Sequence, residues 1–171
     1  MTALITFALS NFSLTFLMLG IFVLGCSLLL QPPSSARDVV ERFLSGYLLF
    51  AIGLSFFYNF LMHVFSAAMA EKFIGWANSP FQAEVGYASI GFPAVALLAW
   101  RGAFSVRLAA ILGPSLFLWG AVIGHLRQIV ASHNFAPGNA GVVLWKDLFL
   151  PVLGFLLLHF SYSAQKPLKT L

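Results

Sequence analysis

Long apolar runs separated by short polar breaks fill the chain, and they predict five helices. The first run covers about 4–30 and stops at Gln31-Pro32-Pro33-Ser34-Ser35. Paired prolines lack the amide donors that a helix needs, so the segment ends there. Ser35 or Asp38 is placed to cap a second helix over 39–68, with a continuation along a surface through Lys72. Gly75-Trp76-Ala77-Asn78 reads as a turn with an indole at the membrane interface. Ser79-Pro80-Phe81-Gln82 has the order of a helix start: a cap, a proline at the first helical position and a capping-box glutamine. The third helix then covers 80–100. The fourth covers 104–131, with a kink expected at Gly113-Pro114. After a Gly/Pro/Asn-rich loop, the fifth covers 142–162. No internal repeat is visible, which removes support for an inverted-repeat transporter.

Composition fixes the solvent. Of 171 residues 60% are hydrophobic and only 8% charged, against about 25% charged in an ordinary soluble domain. The reading is therefore an all-α integral membrane bundle over residues 1–171, with the lipid bilayer as its partner. The net charge of +4 is scattered, with no basic run for nucleic acid. Cys26 is the single cysteine, so no internal disulfide is available. Val23-Leu24-Gly25-Cys26 has the outline of a lipoprotein box. No basic residue precedes it, and the better reading is a buried thiol in the first helix.

Basic residues predict an orientation. Arg37, Arg42, Arg101, Arg107, Lys166 and Lys169 fall on one side of five spans, and Lys72, Arg127 and Lys146 on the other. The richer side is expected to be cytoplasmic, which puts the N-terminus outside and the C-terminus inside.

Counting depth at ~1.5 Å per residue gathers the ionisable groups at one level. His63 lies near the outer end of the second helix, with Asn59 one turn deeper. Glu84 sits one turn into the third helix. His125 lies near the outer end of the fourth, with Gln128 three residues on, and Lys146 and Asp147 open the fifth. The outer loop adds His133, Asn134 and Asn139. The inner half is poorer in such groups, with His159 the main exception. Intramembrane charges cost ~2.5–3.5 kcal/mol on insertion scales, so they normally face the bundle and find partners. Gly120 and Gly124 form a small-x-x-x-small pattern, suited to close helix approach beside His125.

Two readings of this level stay open. Glu84 can simply pair with Lys146, Arg127 or a histidine, Asp147 can stabilise the start of a helix, and Asn139 and Ser79 can be caps. Alternatively His63, Glu84 and His125 form a two-imidazole, one-carboxylate shell for Zn, Fe or Mn. Asn59, Gln128, Lys146 and Asp147 would then support it from behind. A haem b between His63 and His125 is a second version. No H-E-x-x-H or C-x-x-C-H motif accompanies these residues. Ser10, Ser13, Ser55 and Ser89 have no histidine at helical spacing, so no hydrolytic pair stands out.

Several stretches resemble a family of small bacterial multi-span membrane proteins of unknown function. They are Tyr58-Asn59-Phe60-Leu61-Met62-His63, Ile74-Gly75-Trp76 with Ser79-Pro80-Phe81-Gln82-Ala83-Glu84-Val85-Gly86, Gly124-His125, and His133-Asn134-Phe135-Ala136-Pro137-Gly138-Asn139-Ala140-Gly141. The resemblance covers most of the chain after the first helix. It implies a bacterial inner-membrane location and supplies no reaction.

Three functions follow as expectations. The first is a metal or redox-cofactor site in the outer leaflet. The second is a non-enzymatic subunit of a membrane complex or homo-oligomer, packed through Gly46, Gly53, Gly120 and Gly124. The third is a binder of a lipophilic molecule such as a quinone, with space opened by Pro93, Pro114 and Pro151.

Overall fold

A computed structural model describes residues 2–77 and 79–163. Lys166 and Lys169, used for orientation, and Asn78 of the expected turn lie outside the described residues. Among those residues every regular element is a helix.

The first apolar run is divided. Helix α1 (Thr2–Ser10) meets α2 (Phe12–Leu30) at Asn11, whose φ of −110° and ψ of 41° leave the helical region. Asn11 donates its side-chain amide to the Phe7 carbonyl at 3.0 Å. The next span is continuous from Ala36 to Phe65 and has three parts: α3 (Ala36–Gly46), a π-helical segment (Tyr47–Leu54) and α4 (Ser55–Phe65). Ser35 caps it, accepting from the Asp38 amide at 3.2 Å. This span breaks at Ser66 instead of running on to Lys72. A separate α5 (Ala67–Ile74) follows and closes on Gly75 in the left-handed region, φ 73°. Helices α6 (Phe81–Ala99), α7 (Phe104–Ser132), the short α8 (Pro137–Ala140) and α9 (Val142–Ser163) complete the chain.

Five helices are long and apolar enough to cross a membrane: Phe12–Leu30, Ala36–Phe65, Phe81–Ala99, Phe104–Ser132 and Pro137–Ser163. The shortest, at 19 residues, extends about 28 Å, close to the hydrocarbon thickness of a bilayer. The second span is the centre of the bundle. Its π segment packs on α2, α6 and α7, while α3 packs on α9 and α4 on α6. Leu44, Tyr47, Leu48, Ala51, Ile52 and Phe56, all from this span, make up much of the core.

Tight helix-to-helix approaches fall at Gly154 and Gly86, and of the expected glycines Gly46 lies against α2, where a Cβ would be 3.9 Å from the Gly20 carbonyl oxygen. A Cβ on Gly154 would lie 2.6 Å from the Tyr47 hydroxyl, which donates to the Leu150 carbonyl at 2.9 Å. A Cβ on Gly86 would lie 2.6 Å from Val64, where α6 meets α4. A Cβ on Gly120 has nothing within 4 Å, and at Gly124 the neighbour is Trp76. The small-x-x-x-small pattern of α7 therefore faces space and an indole, not another helix. Pro114 sits fully buried within α7, which continues through it.

The end of the bundle opposite the N-terminus is also not poor in polar groups. Arg107, only 8% exposed, pairs with Glu41 at 2.6 Å and donates to the carbonyls of Ala99 and Trp100. Ser161 donates its hydroxyl to Glu41 as well. This cluster ties α3, α7 and α9 together with the α6–α7 corner. His159 is exposed.

The glycine geometry predicts opposite signs for two similar changes. Gly154→Ala overpacks the contact with Tyr47 and costs about 1–3 kcal/mol. Gly120→Ala meets no atom and gains about 0.5–1 kcal/mol of helix preference. Thermal unfolding of the purified variants checks this, and equal effects at both positions would refute the packing.

Candidate functional site

The N-terminal end of the bundle is where α2, α6 and α9 begin and where α4 and α7 finish. A buried polar chain crosses it. Its hub is Asn139, which is fully buried in α8. The Asn139 Oδ1 accepts from the Trp76 indole at 2.8 Å and lies 2.8 Å from His125 Nδ1. Its Nδ2 donates to the carbonyls of Asn134 (2.9 Å) and His125 (3.3 Å). Asn139 is thus a cross-brace between loops and α7, not the helix cap expected of it.

These contacts fix one proton of His125. An indole N–H can only donate, and two carbonyls can only accept, so the amide has one orientation. Its oxygen faces His125 Nδ1, which must carry a proton. His125 Nε2 then faces the Asp147 carboxylate at 3.5 Å. The other oxygen of Asp147 lies 2.5 Å from Lys146 Nζ, in a charge contact without hydrogen-bond alignment. Lys146 reaches on to the Ser13 hydroxyl at 3.4 Å. The chain Trp76–Asn139–His125–Asp147–Lys146–Ser13 joins the α5–α6 loop, α8, α7, α9 and α2. Asn134 adds a second tie, donating to the carbonyls of Ile74 and Gly75 at 3.0 and 3.1 Å. Gly138 lets the loop seat on Phe73, since a Cβ there would lie 2.6 Å from the ring.

Beneath this chain lies a cavity of about 900 Å³. It reaches from the N-terminal end to Ala51, Leu116 and Leu150 near mid-bundle. Its wall is largely apolar and aromatic, with Phe12, Phe56, Tyr58, Phe73, Trp76 and Phe117. The ionisable residues on it are His63, Glu71, His125, Lys146 and Asp147, besides Tyr58. Leu9, Met69, Phe81 and Leu116 line it and are more than half exposed, so the cavity is open to its surroundings. Three buried side-chain atoms among the described residues lack a hydrogen-bond partner: His63 Nδ1, Glu71 Oε1 and Asp147 Oδ1. All three belong to residues on this wall.

The structure brings together part of what the sequence singled out. His63, His125, Asn59, Lys146 and Asp147 line the cavity. Asn59 is already engaged, donating to the Ser89 hydroxyl at 2.9 Å across the α4–α6 contact. Glu84 is exposed and off the wall. The buried face of α6 carries Gly86, Ser89, Ala96 and Ala99. Glu84 lies two residues, about 200°, from Gly86 and so points to the opposite side. It forms no ion pair with Lys146, Arg127 or a histidine among the described residues. Its place in the first turn suits the positive end of the helix. Gln128 does not line the cavity; its backbone carbonyl accepts from the Asn134 amide at 3.2 Å. His133 is the exposed, left-handed end of α7. Among the described residues no group of three His, Cys, Asp or Glu side chains is placed to hold a metal ion.

The expected capping box at Ser79 does not form. Ser79 accepts from the Phe81 amide at 3.3 Å, while the Gln82 side chain donates to the Ala67 carbonyl at 2.9 Å. Gln82 thereby ties α6 to α5. Glu71 was missed because the sequence places it on a surface continuation of the second helix. The break at Ser66 is what lets α5 present Glu71 to the cavity.

The fold and site define a five-span helical membrane bundle with a polar closure over an apolar cavity. The chain belongs to DUF6790, a family of unknown function, whose profile matches residues 10–167. This bears out the resemblance to an uncharacterised family. No curated protein and no solved structure matches the chain significantly.

Removing the hub should be costly. Asn139→Ala leaves the buried His125 Nδ1–H without a partner, at about 1–3 kcal/mol, and also removes the acceptor of the more exposed Trp76 indole. Glu84→Ala, on an exposed face, should stay within about 0.5 kcal/mol. Chemical or thermal unfolding in detergent compares the two, and similar losses would contradict the brace.

Proposed function

We propose that this protein binds a lipophilic small molecule in the cavity at its N-terminal end. The observation that carries the reading is the coincidence of the cavity with the buried polar atoms that lack partners. Binding sites for small molecules are concave, mostly apolar and supplied with a few convergent polar groups. A wall rich in Phe accepts an apolar body, and His63, Glu71 and the Lys146–Asp147 pair offer contacts for a polar head. A buried polar atom without a partner costs free energy until a ligand or water satisfies it. The side openings past Leu9, Met69, Phe81 and Leu116 give a membrane-dissolved molecule a route in.

The reading includes a location. The described basic residues divide as Arg37, Arg42, Arg101 and Arg107 at one end of the bundle and Lys72, Arg127 and Lys146 at the other. That bias supports a reading in which the cavity lies at the outer face of a bacterial plasma membrane. A ligand would then be taken up from the outer leaflet.

Gly120 offers a direct test, because it lines the cavity and a side chain added there meets open space. Gly120→Phe should leave folding intact and fill the site. Lipid extraction and mass spectrometry of wild type should yield a lipophilic molecule, reduced at least about tenfold in the variant, a change of ~1.4 kcal/mol. The same molecule retained in equal amount by a folded Gly120→Phe protein would overturn the assignment of the site.

A further inference from the structure

We infer that the ligand of this cavity is a lipophilic organic cation, an inference that rests on the binding reading above. The argument is a charge balance on the cavity wall. Lys146 is spent, because its ammonium lies 2.5 Å from the Asp147 carboxylate. The second Asp147 oxygen faces His125 Nε2 at 3.5 Å. His63 contributes an imidazole whose Nδ1 has no partner. What remains is Glu71. Its Oε1 is buried without a hydrogen-bond partner, and no ion pair among the described residues includes it. Lys72 follows it directly but is exposed and does not line the cavity. The wall thus carries one carboxylate with no cation of its own.

The surroundings of Glu71 suit a positive charge. Phe12, Phe56, Tyr58, Phe73, Trp76 and Phe117 share the wall with it. Aromatic faces attract cations, most strongly where the cation is desolvated. A partly buried carboxylate attracts a cation more strongly than a fully hydrated one, because the local dielectric is lower. A lipophilic anion would be repelled by the Glu71 charge and lose on both counts. A neutral molecule gains the apolar contact and leaves the carboxylate unpaired. Charge complementarity and the aromatic wall therefore select the same occupant: an apolar, preferably aromatic, molecule with a single positive centre.

The test uses full-length protein in detergent and three probes of similar shape. These are tetraphenylphosphonium (cationic), tetraphenylborate (anionic) and triphenylphosphine oxide (neutral), with equilibrium binding measured for each. The expected result is saturable tetraphenylphosphonium binding at least about tenfold tighter than either other probe. Glu71→Gln, which keeps shape and removes charge, should erase that preference. Glu84→Gln, a carboxylate off the cavity, should keep it. If tetraphenylborate or triphenylphosphine oxide binds as well as the cation, and Gly120→Phe blocks it, the cation inference falls while the lipophilic-binding reading stands. If no probe binds wild type better than Gly120→Phe, both fall. The comparison of probes on wild type does not depend on any variant folding.

Discussion

A polar group inside a membrane bundle has no water to fall back on, and the Asn139 amide is where this constraint is met most fully. Both of its side-chain atoms are used twice, by Trp76 and His125 on the oxygen and by two carbonyls on the nitrogen. Partners this mutually restrictive hold the α5–α6 loop, α8 and the end of α7 in one arrangement. Asp147, Lys146 and Ser13 extend the brace to α9 and α2. With its rim held this way, the space below need not be filled by side chains.

The rest of the bundle complements that rim. At the far end Arg107 and Glu41 perform the same service, with the Ser161 hydroxyl and two carbonyls completing the cluster. In the middle the π-helical segment brings Tyr47 against Gly154 and the Leu150 carbonyl. A π turn is rare and frequent at functional sites, and here Ala51, from within it, is part of the cavity wall. The molecule is closely packed at its centre, and a smaller cleft of about 480 Å³ lies beside Glu41 and Arg107 at the far end. The bundle is open between the centre and the N-terminal rim, where its unpartnered polar atoms also lie.

Much of this was legible in the sequence. Apolar runs and proline punctuation located five spans, Ser35 was visible as a cap, and depth counting placed His63, His125, Lys146 and Asp147 at one level. Depth says nothing about azimuth, however, and that is why Glu84 looked central and is exposed. The face of α6 could have been read from its small residues: Gly86 and Ser89 mark the side that meets α4. Glu71 was hidden by the break at Ser66, which no proline or glycine within 55–74 announces. Asn139 looked like a cap because its neighbours are loop-formers, and only tertiary structure shows four groups converging on it. The glycines of α7 suggested a helix contact, because a missing side chain looks the same whether it admits a helix or leaves a cavity.

The most direct measurement of the central claim is an experimental density map of the protein purified in lipid nanodiscs. The account predicts non-protein density between α4, α5, α7 and α9, its polar end within hydrogen-bond reach of His63 or Glu71. Side chains collapsed into that space, or Glu71 paired to a cation of the chain itself, would contradict it.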